Sequence, residues 1–224
     1  MSEAFEKAPD QQGESAEEQA RPLGRVARKR QEARVRLINA AARLFREQGV
    51  EAVTIGAITR AADVGHGSFY LHFKSKHEIL LPIMMEDAAA LDAKVQRALG
   101  AEADPAVILA TSARYVGISM VRDPLWQWFL AEAGVPVETV RQAIGAFGTR
   151  DFKAGLARGR FQVGDLEATA VFLFGGYVSV LLAGIKAEDP ERLINQAAAI
   201  MLRTLGLERE EAAEIAARPL EDIL

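Results

Sequence analysis

Apolar side chains recur at three- and four-residue spacing along most of this chain and nowhere keep the two-residue alternation of a half-buried strand, so the pattern predicts helices throughout. After Pro22 and Gly24 a basic helix begins in which Val35, Ile38, Ala42 and Phe45 share one face; Glu32 and Arg36 are spaced to pair outside, and Gly49 stops it. Asp-Pro occurs at 104–105, 123–124 and 189–190. Each pair suits a helix start, because Asp can cap free amides while Pro needs no donor at the first helical position. With further starts at Val137 after Pro136 and at Asp165 after Gly164, the punctuation predicts helices over about 75–99, 104–122, 124–133, 137–158, 165–186 and 190–205. Pro82 falls one to two turns into the first of these and is expected to kink or break it.

Residues 168–185 carry no charge, which touches the length of a membrane span. Ala168, Ala170, Gly175, Gly176, Ser179, Ala183 and Gly184 dilute its hydrophobicity, charges flank it closely, and no second span exists, so a buried helix of a soluble protein is expected. Gly175, Ser179 and Ala183 recur every four residues and form a smooth stripe for close helix packing. Either an intramolecular core or a subunit interface would use it.

Between the basic helix and the long helices lies TIGAITRAADVGHGSFYLHFKSKHEIL, residues 54–80. Thr54 can cap a two-turn helix with Ile55, Ile58 and Ala62 facing inward, Asp63-Val64-Gly65 makes a tight turn, and a second short helix runs from His66 to Phe73. This is a helix-turn-helix pattern. Ser75 and Glu78 are spaced as a capping box for the next helix.

Composition and charge sharpen this picture. The chain has 224 residues, half of them hydrophobic, and no cysteine, which excludes disulfides, thiolate metal sites and cysteine nucleophiles. The net charge of −4 hides a segregation: residues 1–20 carry −5, residues 21–80 carry +7 and residues 81–224 carry −6. A basic block between acidic neighbours is a local footprint for a polyanion, although a solvated charged face would give the same balance. The first twenty residues lack Ile, Leu and Val and are expected to form a disordered tail without a secretory signal, which makes the cytoplasm the expected location.

The segment resembles the DNA-binding domain of the tetracycline-repressor (TetR) family over about residues 28–80. The resemblance is carried by Leu44-Phe45 and Gly49, then Thr54, Ile58, Ala62, Val64, Gly67, Phe69-Tyr70, His72-Phe73, Lys76 and Glu78. Three positions depart from the family's usual pattern: Asp63 in place of Gly, Gly65 in place of a Ser or Thr cap, and Leu71 in place of a polar residue. Independently of the resemblance, all three histidines, His66, His72 and His77, cluster here with Ser68, Tyr70, Lys74 and Lys76. A recognition helix presents its N-terminal residues to base edges, so His66, Gly67 and Ser68 are the expected readers, flanked by Gly65 and Leu71. Thr54, Tyr70, His72, Lys74 and Lys76 are expected to hold phosphates, as the resemblance also implies for Thr54, Tyr70, His72 and Lys76. The cations Arg21, Arg25, Arg28, Lys29 and Arg30 read as an arm that adds affinity without specificity.

Catalytic readings fail on spacing. His77-Glu78 opens a zincin-like sequence, yet Leu81 occupies the place of the second histidine; no Walker loop, dinucleotide fingerprint or nucleophile elbow is present, and Gly145-Ala-Phe-Gly148 reads as loose helix packing. No metal or cofactor is expected. The resulting expectation is an all-α chain: a tail at 1–24, a three-helix DNA-binding domain at 25–74, a helical ligand-binding and dimerisation domain at 75–207, and a C-terminal tail at 208–224. The resemblance implies a repressor that binds double-stranded DNA and is released by a small-molecule effector. Ten of the fifteen aromatics lie beyond residue 80, and Tyr115, Trp126, Phe129, Phe147 and Phe172 are the expected pocket residues, with Tyr177 beside them. A homodimer through Gly175, Ser179 and Ala183 would supply two half-sites. The alternatives are a ligand-dependent activator and a helical module whose basic face binds an acidic partner.

Overall fold

The structure, a computed structural model, describes residues 24–100, 102–131 and 137–221. The expected N-terminal tail, apart from Gly24, lies outside the described residues, as do Arg21 of the basic arm and Pro136. Among the described residues there are helices and no strands, in the order α1 (Arg25–Gln48), α2 (Ile55–Ala61), α3 (His66–Tyr70), α4 (Leu80–Leu99), α5 (Pro105–Arg122), α6 (Pro124–Ala131), α7 (Val137–Ala157), α8 (Leu166–Gly184), α9 (Pro190–Thr204) and α10 (Arg209–Ala217).

The Asp-Pro pairs cap as their chemistry requires. Asp104 accepts from the Ala106 amide at 2.8 Å, Asp123 from Leu125 at 2.7 Å, and Asp189 from Arg192 at 2.9 Å. Asp165 does the same for Ala168 at 2.7 Å.

Several expectations are corrected. In α1 the inward face is Leu37, Ile38, Ala40, Ala41, Leu44 and Phe45, whereas Val35 is exposed because it lies a quarter-turn outside that stripe. Glu32 pairs with Arg28, not Arg36, at 3.6 Å. Residues 25–30 belong to the helix, so the cations there are not a flexible arm. The helix expected from residue 75 begins at Leu80 after a turn, which leaves Pro82 in the first turn, where no amide donor is needed, rather than at a mid-helix kink. The capping box is half formed: Glu78 N donates to Ser75 Oγ at 3.2 Å, but the Glu78 carboxylate turns to the Lys74 amide. The segment expected as a C-terminal tail contains α10, which buries Ala212, Ile215 and Ala216 and is tied by Arg160, bonded to both Glu211 and Asp104. Gly206 at φ +94° ends α9 in a left-handed conformation that glycine adopts cheaply, and α10 follows.

One apolar cluster runs from Leu37, Phe45, Ile58, Phe69 and Phe73 through Ile79, Ile83 and Met84 to Met120, Trp126, Phe129 and Leu181. The expected boundary at 74/75 is therefore a boundary of elements, not of cores. A second cluster joins the start of α5, the end of α7, α9 and α10 around Phe152, Phe161, Leu202 and Leu205.

α8 departs from the expectation of a buried helix. Only 11% of its most apolar eighteen residues is buried inside the chain, and Val171, Phe172 and Leu182 are exposed.

Candidate nucleic-acid interface and effector cavity

The helix-turn-helix is built by a few local bonds. Thr54 Oγ1 accepts from the Ala57 amide at 3.1 Å, which starts α2 and leaves the hydroxyl of this exposed residue able to donate. Asp63 turns the chain at φ +51°, the left-handed region, where Asp is tolerated and Gly is cheaper. Gly65 caps α3 without a side-chain bond, so this helix of five residues relies on Phe69, fully buried, to hold it down. Arg30, from α1, donates to the Leu71 carbonyl at 2.9 Å and fixes the end of α3.

That scaffold leaves one polar face open. Thr54, Gly65, His66, Gly67, Tyr70, Leu71 and Lys74 are exposed, with Ser68 half-buried beside them. A Cβ on Gly67 would meet nothing within 4 Å, so a duplex can approach the backbone there. The His66 and Tyr70 rings meet edge-on at 5.8 Å, one helical turn apart on the same face. Phe69 and Phe73 are core, as expected. His72 is half-buried; partial burial and then the nearby Arg30 and Arg34 push its pKa below the ordinary value, favouring the neutral ring.

Lys76 is placed differently from the rest. Its ammonium donates to the carbonyls of Val50 at 2.9 Å and Glu51 at 3.0 Å, and so ties the loop after α1 to the turn before α4. Lys76→Met is expected to lower stability by about 1–3 kcal/mol by leaving those carbonyls short of a donor. Urea unfolding of both proteins measures this, and an unchanged midpoint would remove the structural role.

Behind this domain a cavity of about 110 Å³ lies between α4, α5, α7, α8 and α9. Leu109, Val116, Ile144, Phe147, Phe152, Phe174 and Tyr177 form its apolar wall, and Gly145 and Gly148, read above as loose packing, also line it; a Cβ on Gly148 would meet nothing within 4 Å, whereas one on Gly145 would meet Arg141 at 2.9 Å. The Tyr177 hydroxyl is spent on the Ala113 carbonyl at 2.6 Å, and desolvation of that group pushes its pKa up.

The cavity has one polar end. Asp92, buried and lining it, accepts two bonds from Arg150 at 2.7 and 2.8 Å. Arg150 also donates twice to Asp151 Oδ1, at 2.9 and 2.7 Å. Ser112 Oγ, also lining the cavity, and Asp151 Oδ2 are buried without a hydrogen bond of ordinary geometry, yet Ser112 is near enough to act on the Asp151 carboxyl. Burial, the largest influence, pushes the Asp151 pKa up.

Of the five aromatics expected to line a pocket, Phe147 does. Trp126 and Phe129 are buried in the shared core instead, Tyr115 lies under Lys94, whose ammonium is 4.9 Å from its ring, and Phe172 points outward, 69% exposed. Helix phase decides these cases: Ser112, Ala113 and Val116 on α5 and Leu173 and Phe174 on α8 face the cavity, so Tyr115 and Phe172 face away. The polar end is absent from the sequence reading, although a signal for it exists: Met84, Ala88, Asp92 and Val95 form the buried stripe of α4, and an acid in such a stripe marks a buried polar site. Among the described residues no cluster of potential metal ligands occurs. Gly175 is half-buried and Ser179 and Ala183 are exposed, on the uncovered side of α8.

Comparison with known proteins agrees with both halves. Residues 37–83 match the bacterial regulatory proteins of the tetR family, and residues 104–218 match the tetracyclin repressor-like C-terminal domain. The crystal structure of RolR in complex with resorcinol is 32% identical, with a TM-score of 0.75 over 88% of this chain and 100% of that one. AcrR, a helix-turn-helix transcriptional regulator of Shigella flexneri, is 42% identical over 53 residues, 24% of this chain and 25% of AcrR. KstR, a transcriptional repressor of Mycobacterium tuberculosis, is 32% identical over 94 residues, 42% of this chain and 43% of KstR. The match thus spans a quarter to under half of these two regulators. With a helix-turn-helix in front of a helical domain that holds a cavity, and with both domains matched, this chain belongs to the TetR family of bacterial transcriptional regulators.

Proposed function

We infer that the chain is a cytoplasmic repressor that binds a two-fold symmetric operator as a dimer and is released when a small, largely apolar molecule enters the cavity. The observation that carries this reading is the pairing of an open polar face on α2 and α3 with a largely apolar cavity one helix away. Residues 25–74 would grip DNA, with His66, Gly67 and Ser68 at base edges and Thr54, Tyr70 and Lys74 on phosphates. Residues 75–217 would hold the effector and the partner subunit. RolR, the relative solved with resorcinol, has a small aromatic molecule as its ligand, which fits an effector of that scale.

The path from cavity to DNA is short. α4 supplies Asp92 to the cavity, and its first turns pack Ile79, Leu80 and Ile83 into the core shared with α1, α2 and α3. Arg46 of α1 pairs with Asp87 of α4 and, at 3.6 Å, with Asp123 ahead of α6, while His77 stacks on Trp128 with ring centroids 5.7 Å apart. A shift of α4 on ligand binding is therefore passed to the recognition helices as a rigid displacement. A coupling of about 1–3 kcal/mol would weaken operator binding roughly 5–150-fold. Operator titrations with and without saturating effector test this, and equal affinities would contradict it.

The cations of α1 provide a separate test. Replacing Arg25, Arg28 and Lys29 together by Ala is expected to flatten the log–log salt dependence of DNA affinity by about 0.9 for each phosphate that is no longer neutralised. Arg30 is left in place because it holds the Leu71 carbonyl. An unchanged slope would remove these residues from the interface.

A further inference from the structure

The cavity that serves as the effector site in the reading above has a polar end dominated by acceptors, Asp92 and Ser112, with the Thr149 hydroxyl also on its lining. Asp92 carries only acceptors, and its two bonds from Arg150 leave further lone pairs on each oxygen. Arg150 directs Nε and both terminal nitrogens at Asp92 and Asp151, so four of its five N–H donors are taken up by the protein's own carboxylates. Ser112 lines the cavity near the Asp151 carboxyl, and its hydroxyl oxygen can accept from a ligand. Tyr177, the remaining polar aromatic on the wall, has already given its proton to Ala113. The acid that faces the cavity is Asp92, with Asp151 on the far side of Arg150. An anionic ligand would meet the Asp92 carboxylate, and a ligand with only carbonyl acceptors would offer no donor to the remaining lone pairs of Asp92 and Ser112.

Size narrows the choice further. An apolar cavity of roughly 150 Å³ takes one benzene ring, and the present one is about 110 Å³ before any adjustment of Phe147 or Phe174. That volume suits a single ring held among the wall residues.

We propose that the cavity takes a neutral compound of one ring bearing a hydroxyl donor, a phenol, whose O–H group donates to Asp92 and shares Ser112, while the ring lies among Phe147, Phe152 and Phe174.

The test is calorimetric titration of the full chain with four probes of similar ring size: phenol, resorcinol, toluene and benzoate. Phenol and resorcinol are expected to bind at least tenfold more tightly than toluene, with benzoate weakest. Ser112→Ala should weaken phenol at least fivefold and leave toluene unchanged, and its thermal unfolding should match that of the native chain. Toluene or benzoate binding as tightly as phenol would overturn the proposal, and so would no phenol binding up to millimolar concentration. Operator release is measured separately in the same samples. Phenol binding without operator release would uphold the cavity chemistry and overturn the regulatory reading, whereas release by a compound other than a hydroxylated ring, with phenol inert, would do the reverse.

Discussion

Phe172→Glu combined with Leu182→Glu is expected to convert the protein to a monomer and to weaken operator binding roughly 100-fold or more. Both side chains stand on the outer face of α8, 69% and 40% exposed, beside Gly175, Ser179 and Ala183. An apolar helix face left bare over several turns is covered by something in a stable protein. The spacing of its small residues suits a second copy of the same helix packed across a two-fold axis, with α9 alongside. Glutamates introduced there would be buried without cationic partners, which costs several kcal/mol per dimer. The loss of DNA affinity follows from geometry, since a five-residue recognition helix reaches few base edges and specificity of roughly 10³ or more over random DNA needs the second half-site. Sedimentation velocity at micromolar concentration and an operator titration read the two consequences. A dimer that survives both substitutions would place the interface elsewhere.

Trp126→Ala is expected to lower stability by about 3–5 kcal/mol, the range for removing a fully buried indole. Trp126 is 1% exposed, meets the Phe129 ring edge-on at 5.7 Å, and belongs to the cluster that also contains Phe45, Ile58 and Phe73. Because that cluster spans the DNA-binding helices and the helices behind them, the loss should lower one cooperative transition, by roughly 10 °C for a chain of this length, rather than release one domain early. The indole Nε1 is buried without a partner, so Trp126→Phe, which removes the orphaned donor and part of the volume, should cost much less. Calorimetric unfolding distinguishes these outcomes. Two separate transitions in Trp126→Ala would contradict a shared core.

Helix positions are legible in the sequence because their ends are written in local chemistry. Asp104, Asp123, Asp165 and Asp189 each satisfy amides two or three residues away, a relation that needs no tertiary information. The recognition segment is legible for the same reason, since Thr54 caps the amide three residues on and Gly65 stands four residues before the buried Phe69. Side-chain partners across the fold are not. Lys76 reads as a phosphate ligand until residues 50 and 51 are brought within 3.0 Å of it, and Phe172 reads as a pocket residue until the phase of α8 is fixed by Leu173 and Phe174. The polar end of the cavity depends on Asp92, Ser112 and Asp151 from three helices, so no local pattern assembles it. α10 escapes because its buried stripe is only Ala212, Ile215 and Ala216, too short and too weakly apolar to stand out from a charged tail.

The central claim, that this chain reads a particular DNA sequence through paired α3 helices, is tested most directly by selection. Genomic fragments from the source organism are retained on the purified protein at near-physiological salt, eluted, sequenced and footprinted. The account predicts a shared sequence made of two inverted half-sites about one helical turn apart or a multiple of that, absent from the selection when His66 and Ser68 are both replaced by Ala. Fragments retained without any common sequence, or an unaltered preference in the His66→Ala, Ser68→Ala double variant, would contradict it.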